Sequence, residues 1–98
     1  MIDGIILNDN DNVATAVQVL TKGQKARVRR NREEVEILMT EDIPYGHKFA
    51  VRNITAGEDI LKYGEVIGRA TKSIAGGSHA HVQNIESLRG RGDLKGDK

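Results

Sequence analysis

The chain contains no cysteine, which excludes disulfides, thiolate metal sites and cysteine nucleophiles. It has one proline and only three aromatic residues, Tyr45, Phe49 and Tyr63. Three rings are too few for the stacking platform on which single-stranded nucleic acids lie. Charge of one sign is also lacking: 15 basic residues face 14 acidic ones, for a formal net charge of +1 at pH 7. The strongly positive field that marks many nucleic-acid-binding domains is therefore absent. No apolar run approaches the roughly 20 residues of a membrane helix. The segment Met1–Leu7 lacks the basic start and long apolar middle of a secretion signal. Exclusion thus leaves a cytoplasmic protein with no membrane partner as the expectation. At 98 residues the chain suits one domain with a two-layer core, but not a deep cavity walled by itself alone.

What is present reads mostly as β-structure. Ile2–Leu7 is a short apolar opening strand, and Asn8–Asn12 is a polar stretch suited to turns and caps. Val13, Ala16, Val17 and Leu20 follow the i, i+3, i+4, i+7 spacing of a helix face. That spacing predicts one short helix, capped by Asp11 or Asn12 and stopped by Gly23. Beyond Gly23 the period becomes two. Ala26 and Val28 alternate with Lys25, Arg27 and Arg29, and Val35, Ile37 and Met39 with Glu34, Glu36 and Leu38, as in two half-buried strands joined by a turn near Arg30–Arg32. Three segments then share one form: Asp42-Ile43-Pro44-Tyr45-Gly46, Asn53-Ile54-Thr55-Ala56-Gly57 and Ser73-Ile74-Ala75-Gly76-Gly77. A short polar residue, a core-seeking Ile and a Gly able to take positive φ describe a tight turn. Gly64 and Gly68 predict two further bends around Glu65-Val66-Ile67. The expected fold is all-β with one short helix, its extended segments doubling back, over residues 1–87. Residues 88–98 form a basic tail with little to bury, expected to be flexible.

Three histidines are the main chemical resource. His79 and His81, two apart in a strand, point to one face and can offer two imidazoles to a metal. A metal site wants at least a third ligand, and His47, Glu58, Asp59 and Glu86 are the candidates. His47 and Lys48 follow the turn glycine Gly46, where a rigid corner presents side chains to solvent. Lys25–Arg32 holds five basic residues, which can contact phosphates. Their simpler role is pairing across strands with Glu33, Glu34 and Glu36. No phosphate loop and no nucleophile elbow occurs.

Asp42-Ile43-Pro44-x-Gly46-His47-Lys48-Phe49-Ala50 and Tyr63-Gly64-x-x-Ile67-Gly68-Arg69-Ala70-Thr71 carry a family resemblance. So do Asp11-Asn12-Val13-Ala14, at what would be a helix start, and Gly77-x-His79-x-His81-x-x-Asn84. From about Asn10 to Ser87 the chain resembles the SAF-type N-terminal domain of the altronate and galactarate dehydratase family. The resemblance implies a β-clip fold and a small subunit that helps a separate large dehydratase subunit eliminate water from a sugar acid. The small subunit of sulfolactate sulfo-lyase, which eliminates sulfite, is a related arrangement; a non-catalytic ligand- or partner-binding module is the other alternative. The resemblance further implies His47 and His81 as catalytic residues, with Lys48, Gln83 and Asn84 as substrate contacts. The family's second histidine of the closing strand corresponds here to Gln83, and His79 falls where the family pattern is variable. A divalent metal, iron or manganese, is implied for the assembled enzyme, shared with or held by the large subunit, with its ligands undetermined. The expected partners are that subunit and the sugar acid, with self-association open and nucleic acid excluded.

Overall fold

The computed structural model describes residues 2–87; the expected tail at 88–98 lies outside them. Nine strands follow in order: β1 (Gly4–Ile6), β2 (Val13–Ala16), β3 (Lys25–Arg30), β4 (Glu33–Leu38), β5 (Lys48–Ala50), β6 (Asp59–Lys62), β7 (Glu65–Ala70), β8 (His79–Ala80) and β9 (Ile85–Ser87). They build a six-stranded sheet of order β4-β3-β1-β2-β5-β8 and a three-stranded sheet of order β6-β7-β9. The architecture is the all-β one expected of a β-clip, with short strands and many reversals.

Recurring turns explain why the chain reverses where it does. In each of the three segments read from sequence, the carbonyl of the residue after Ile accepts the N–H three residues on: Pro44 from His47, Thr55 from Glu58 and Ala75 from Ser78. Gly46, Gly57 and Gly77 sit at φ of 83°, 90° and 88°, the left-handed value that the third position of a type II turn requires. A fourth copy exists at Leu20-Thr21-Lys22-Gly23, with Thr21 accepting from Gln24 and Gly23 at φ 90°.

The four turns form two pairs. Leu20 and Ile43 exchange both backbone hydrogen bonds, and so do Ile54 and Ile74. Each pair encloses a hairpin, β3–β4 in the first and β6–β7 in the second. The closing bonds match too: Gly23 N–H donates to Met39 and Met39 N–H to Gln24, as Gly57 donates to Ala70 and Ala70 to Glu58. Residues 20–50 and 54–80 are thus two copies of one turn–hairpin–turn unit. Each unit ends in a short strand, β5 or β8, and these two strands pair antiparallel.

No helix forms among the described residues, which corrects the expectation for 13–20 and for the resembled helix start at Asp11-Asn12-Val13-Ala14. The segment 13–16 is β2, which lies between β1 and β5 in the larger sheet. Val13, Ala14 and Ala16 are all buried, Val13 in one core cluster and the two alanines in the other. A strand covered on both faces shows no polar alternation, so its apolar run matched a helical template by coincidence. Asp11 and Asn12 are not helix caps. The Asp11 carboxylate accepts the N–H groups of Tyr63 and Gly64, at 2.9 and 2.8 Å. The Asn12 amide donates to the Asp59 carbonyl and accepts the Leu61 N–H, both at 2.8 Å. These bonds fasten the second hairpin to the larger sheet.

Gly68 is also not a bend. It lies inside β7, where a Cβ would stand 2.5 Å from the Glu86 carbonyl oxygen, so only glycine lets β9 approach this closely. The basic stretch behaves as the cross-strand reading expects. Arg27, Arg29 and Arg30 oppose Glu36, Glu34 and Glu33 in the β3–β4 ladder, with exposed ion pairs at Arg27–Glu34 and Arg30–Glu33.

Candidate functional site: a three-histidine corner

The site arises where the ends of the two units meet. His47 closes the Pro44–His47 turn directly before β5, and its carbonyl accepts the Ala16 N–H. His79 opens β8 opposite Phe49, the largest side chain of the core. His81 follows β8 at a tight reversal, where its carbonyl accepts the N–H groups of Asn84 and Ile85.

Pairing of β5 with β8 brings the three imidazoles together. Ring centroids lie 4.5 Å apart for His47–His81, 5.1 Å for His47–His79 and 5.3 Å for His79–His81. His47 Nδ1 and His79 Nε2 are 2.9 Å apart and share one proton, whichever ring carries it. One ligand atom from each of the three histidines falls within 4.8 Å of the other two. His79 and His81 share a face, as their spacing implied, and His47 is the third member. The carboxylate candidates are engaged elsewhere: Glu58 pairs with Arg52 at 2.8 Å, and Asp59 and Glu86 stand opposite Arg69 in the smaller sheet.

Backbone contacts hold the corner rigidly. Asn84 is buried, its carbonyl oxygen accepting the His81 N–H and its amide donating to the His79 carbonyl, both at 2.9 Å. Its side chain therefore shapes the histidine strand. Glu41 accepts the His79 N–H at 2.7 Å, a contact that sequence reasoning missed because Glu41 occupies an unpatterned loop. Gln83 is exposed, with its amide nitrogen 3.2 Å from His79 Nδ1.

The electrostatics of His79 and His81 favour the uncharged ring. Burial, then the neighbouring His47 and His81, holds His79 below the ordinary histidine pKa; Lys48 adds to this and Glu41 opposes it. Burial, then His47 and Lys48, does the same for His81. Lys48, half-buried in β5, is itself lowered by burial and by Lys62. Lys48 and His81 line a recess of 110 Å³ with Ile67, Val82, Ile85 and Ser87. A larger open hollow of 740 Å³ lies at the β3–β4 turn among Asp9, Arg30, Asn31, Arg32 and Glu33. It has no imidazole, so the chemistry points to the smaller recess.

Residues 2–88 match the model of the altronate/galactarate dehydratase SAF domain. The chain belongs to that family. It is 38% identical to altronate dehydratase of Escherichia coli (strain K12) over 77 residues, covering 79% of this chain but 15% of that protein. Against altronate dehydratase of Bacillus subtilis (strain 168) the identity is 36% over 83 residues, 85% of this chain and 16% of the relative. The chain thus spans about one-sixth of the length of these relatives. It is also 32% identical over 62 residues to (2R)-sulfolactate sulfo-lyase subunit alpha of Paracoccus pantotrophus, covering 63% of this chain and 92% of that subunit. These relatives place the SAF domain in a family of lyases. Among the described residues, no helix is long and apolar enough to cross a membrane.

Proposed function

We propose that this SAF domain supplies one wall of a hydroxy-acid lyase active site, acting as a small subunit beside a separate large catalytic subunit. The reaction is altronate dehydratase-like: water leaves a sugar acid to give a 2-keto-3-deoxy acid. The observation that carries this reading is the convergence of His47, His79 and His81 beside the partly desolvated Lys48.

The chemistry asks for such a corner. A hydrogen α to a carboxylate is a weak acid, and its removal builds a second negative charge that aimed donors and cations must stabilise. Lys48 pairs with the substrate carboxylate and regains the interaction energy that burial withholds from its ammonium. His81, kept neutral by burial, is competent to take a proton, and His47 returns one to the departing hydroxyl. Gln83 offers its exposed amide to a substrate hydroxyl, while Asn84 acts through the backbone it holds. A divalent metal held by His47, His79 and His81 would stabilise charge on the substrate oxygens, and with those nitrogens ligated the proton transfers would fall to other groups of the assembled site.

A second reading replaces water by sulfite as the leaving group. The 92% coverage of the Paracoccus sulfo-lyase alpha subunit favours it, and proton removal is unchanged. The test is to isolate the chain with its large partner and assay altronate, then sulfolactate. The chain alone is expected to be inactive, and the pair to form a 2-keto acid or release sulfite. His47→Ala is expected to lower turnover at least about tenfold while gel filtration still shows the complex. Unchanged turnover removes His47 from the site; an inert pair, or no partner at all, leaves a non-catalytic binding module.

A further inference from the structure

We infer that His47, His79 and His81 form a first-row divalent metal site that this chain completes by itself, leaving the remaining coordination positions to an α-hydroxycarboxylate. The ion rests on geometry alone; the choice of anion rests on the lyase reading.

Four observations support the site. First, the spacing is right. His47 Nδ1 and His79 Nε2 lie 2.9 Å apart, close to the roughly 3 Å between two nitrogens bound at near right angles with bonds of about 2.0–2.1 Å. An ion takes the place of the proton these rings share. Second, the ligands are positioned before any ion arrives. A type II turn and the β5 ladder fix the His47 backbone, Glu41 and Asn84 fix that of His79, and Asn84 fixes that of His81. Little ordering is left for binding to impose.

Third, the outer support is present. A ligating histidine normally bonds a second group through its other ring nitrogen, which fixes the tautomer. Gln83 stands at His79 Nδ1. With its carbonyl oxygen turned to accept from Nδ1–H, it leaves the Nε2 lone pair free for the ion. Gln83 is thus a positioning residue, which gives a role to the position where the family pattern has histidine.

Fourth, the charge count selects the occupant. The ligand set is three imidazoles with no carboxylate; Lys48 adds positive charge beside His79 and His81, and Glu41, which accepts the His79 N–H, adds one negative charge beside His79. Glu41 and Lys48 offset one another, so the charge of a divalent ion is uncompensated until an anion arrives. A carboxylate with an adjacent hydroxyl supplies both the charge and two oxygens for the open positions. Imidazole donors suit zinc, iron, cobalt and nickel, and do not suit magnesium or calcium.

The test uses the full-length untagged chain, stripped of metal and titrated with cobalt(II). Calorimetry is expected to give one ion per chain, with visible ligand-field bands. His79→Ala and His81→Gln should each weaken binding at least tenfold while circular dichroism and the melting temperature show an intact fold. Gln83→Leu should cost about 10- to 100-fold in affinity, with Gln83→Glu restoring much of it. Glycolate should shift the cobalt bands, and propionate, lacking the hydroxyl, should shift them less. Absence of binding at millimolar cobalt, or binding that survives His79→Ala in a folded chain, overturns the site. Equal shifts from glycolate and propionate overturn the choice of anion. The lyase reading is judged separately by the activity of the purified pair: an active pair with no cobalt bound by this chain sinks the metal site alone, and a cobalt-binding chain with an inert pair sinks the lyase reading alone.

Discussion

The two turn–hairpin–turn units share a skeleton and differ in almost everything hung on it. Leu20, Met39 and Ile43 of the first correspond to Ile54, Ala70 and Ile74 of the second, with the same closing hydrogen bonds. The first hairpin is a regular six-by-six ladder that extends into solvent with paired charges. The second is shorter, carries an irregularity at Ile60/Leu61, and is covered by β9. After the closing turn the first unit reads His47-Lys48-Phe49-Ala50 and the second Ser78-His79-Ala80-His81. The repeated part is what folds, and the differing part is what can do chemistry. The site needs both units, because its imidazoles come from non-equivalent positions on two paired strands.

The comparison breaks most severely through Phe49, whose counterpart is Ala80. Phe49 is fully buried in the first core cluster and fills the space above Gly4, where an added Cβ would stand 2.8 Å from its ring. Phe49→Ala should cost about 3–5 kcal/mol in urea denaturation, with the histidine corner loosened alongside. The closing glycines give a graded contrast. Gly46 and Gly77 both hold positive φ, but a Cβ at Gly46 meets nothing, whereas at Gly77 it falls 2.0 Å from the Leu38 carbonyl oxygen. Gly46→Ala should cost only the left-handed strain of about 1–2 kcal/mol, and Gly77→Ala clearly more. Equal costs would show that the turns, rather than their surroundings, set the price.

Asn84→Ala sharpens the comparison from the other side. It removes two bonds that the second unit uses to shape β8, leaves buried backbone groups unpaired, and should cost about 1–3 kcal/mol. Broadening of the His79 and His81 ring signals in NMR should accompany that loss. The smallest expected effect is on pH dependence. His79 and His81 titrate below the ordinary value of 6.5 when folded, so below about 6.5 the unfolded chain binds protons that the folded chain refuses. Stability of the metal-free protein should therefore fall as pH drops through that window until the folded-state values are reached. A melting temperature flat between pH 7 and pH 5 in the His79→Gln, His81→Gln double variant, against a falling one in the parent, is the expected pattern. Parallel curves would show that these rings are not the cause.

Much of this was legible in the sequence, for physical reasons that also mark where legibility stops. The β3–β4 hairpin announced itself because one face of each strand meets solvent and the alternation is clean. The three turns with Ile and Gly were readable because backbone geometry dictates their residues. The fourth, at Leu20, was hidden because β2 is buried on both faces and its apolar run was read onward into a helix. Losing that turn concealed the duplication. The same step concealed why His47 must meet His79 and His81, since only the pairing of β5 with β8 joins them. Met39-Thr40 and Ala70-Thr71, each followed by a short polar residue, Ile and the turn Gly, were the signal that would have exposed it.

The order of the larger sheet leaves two open rims, and they are unlike. Along β4 the outermost backbone is guarded by Glu33, Glu34 and Glu36, charges that discourage another strand from docking there. At the opposite rim β8 is two residues long, too short to template a ladder. Among the described residues, neither rim of the larger sheet invites growth by an added strand. A protein that joins the larger sheet at the histidine corner then finds side chains rather than a long strand edge to recognise, and its specificity lies in shape and charge.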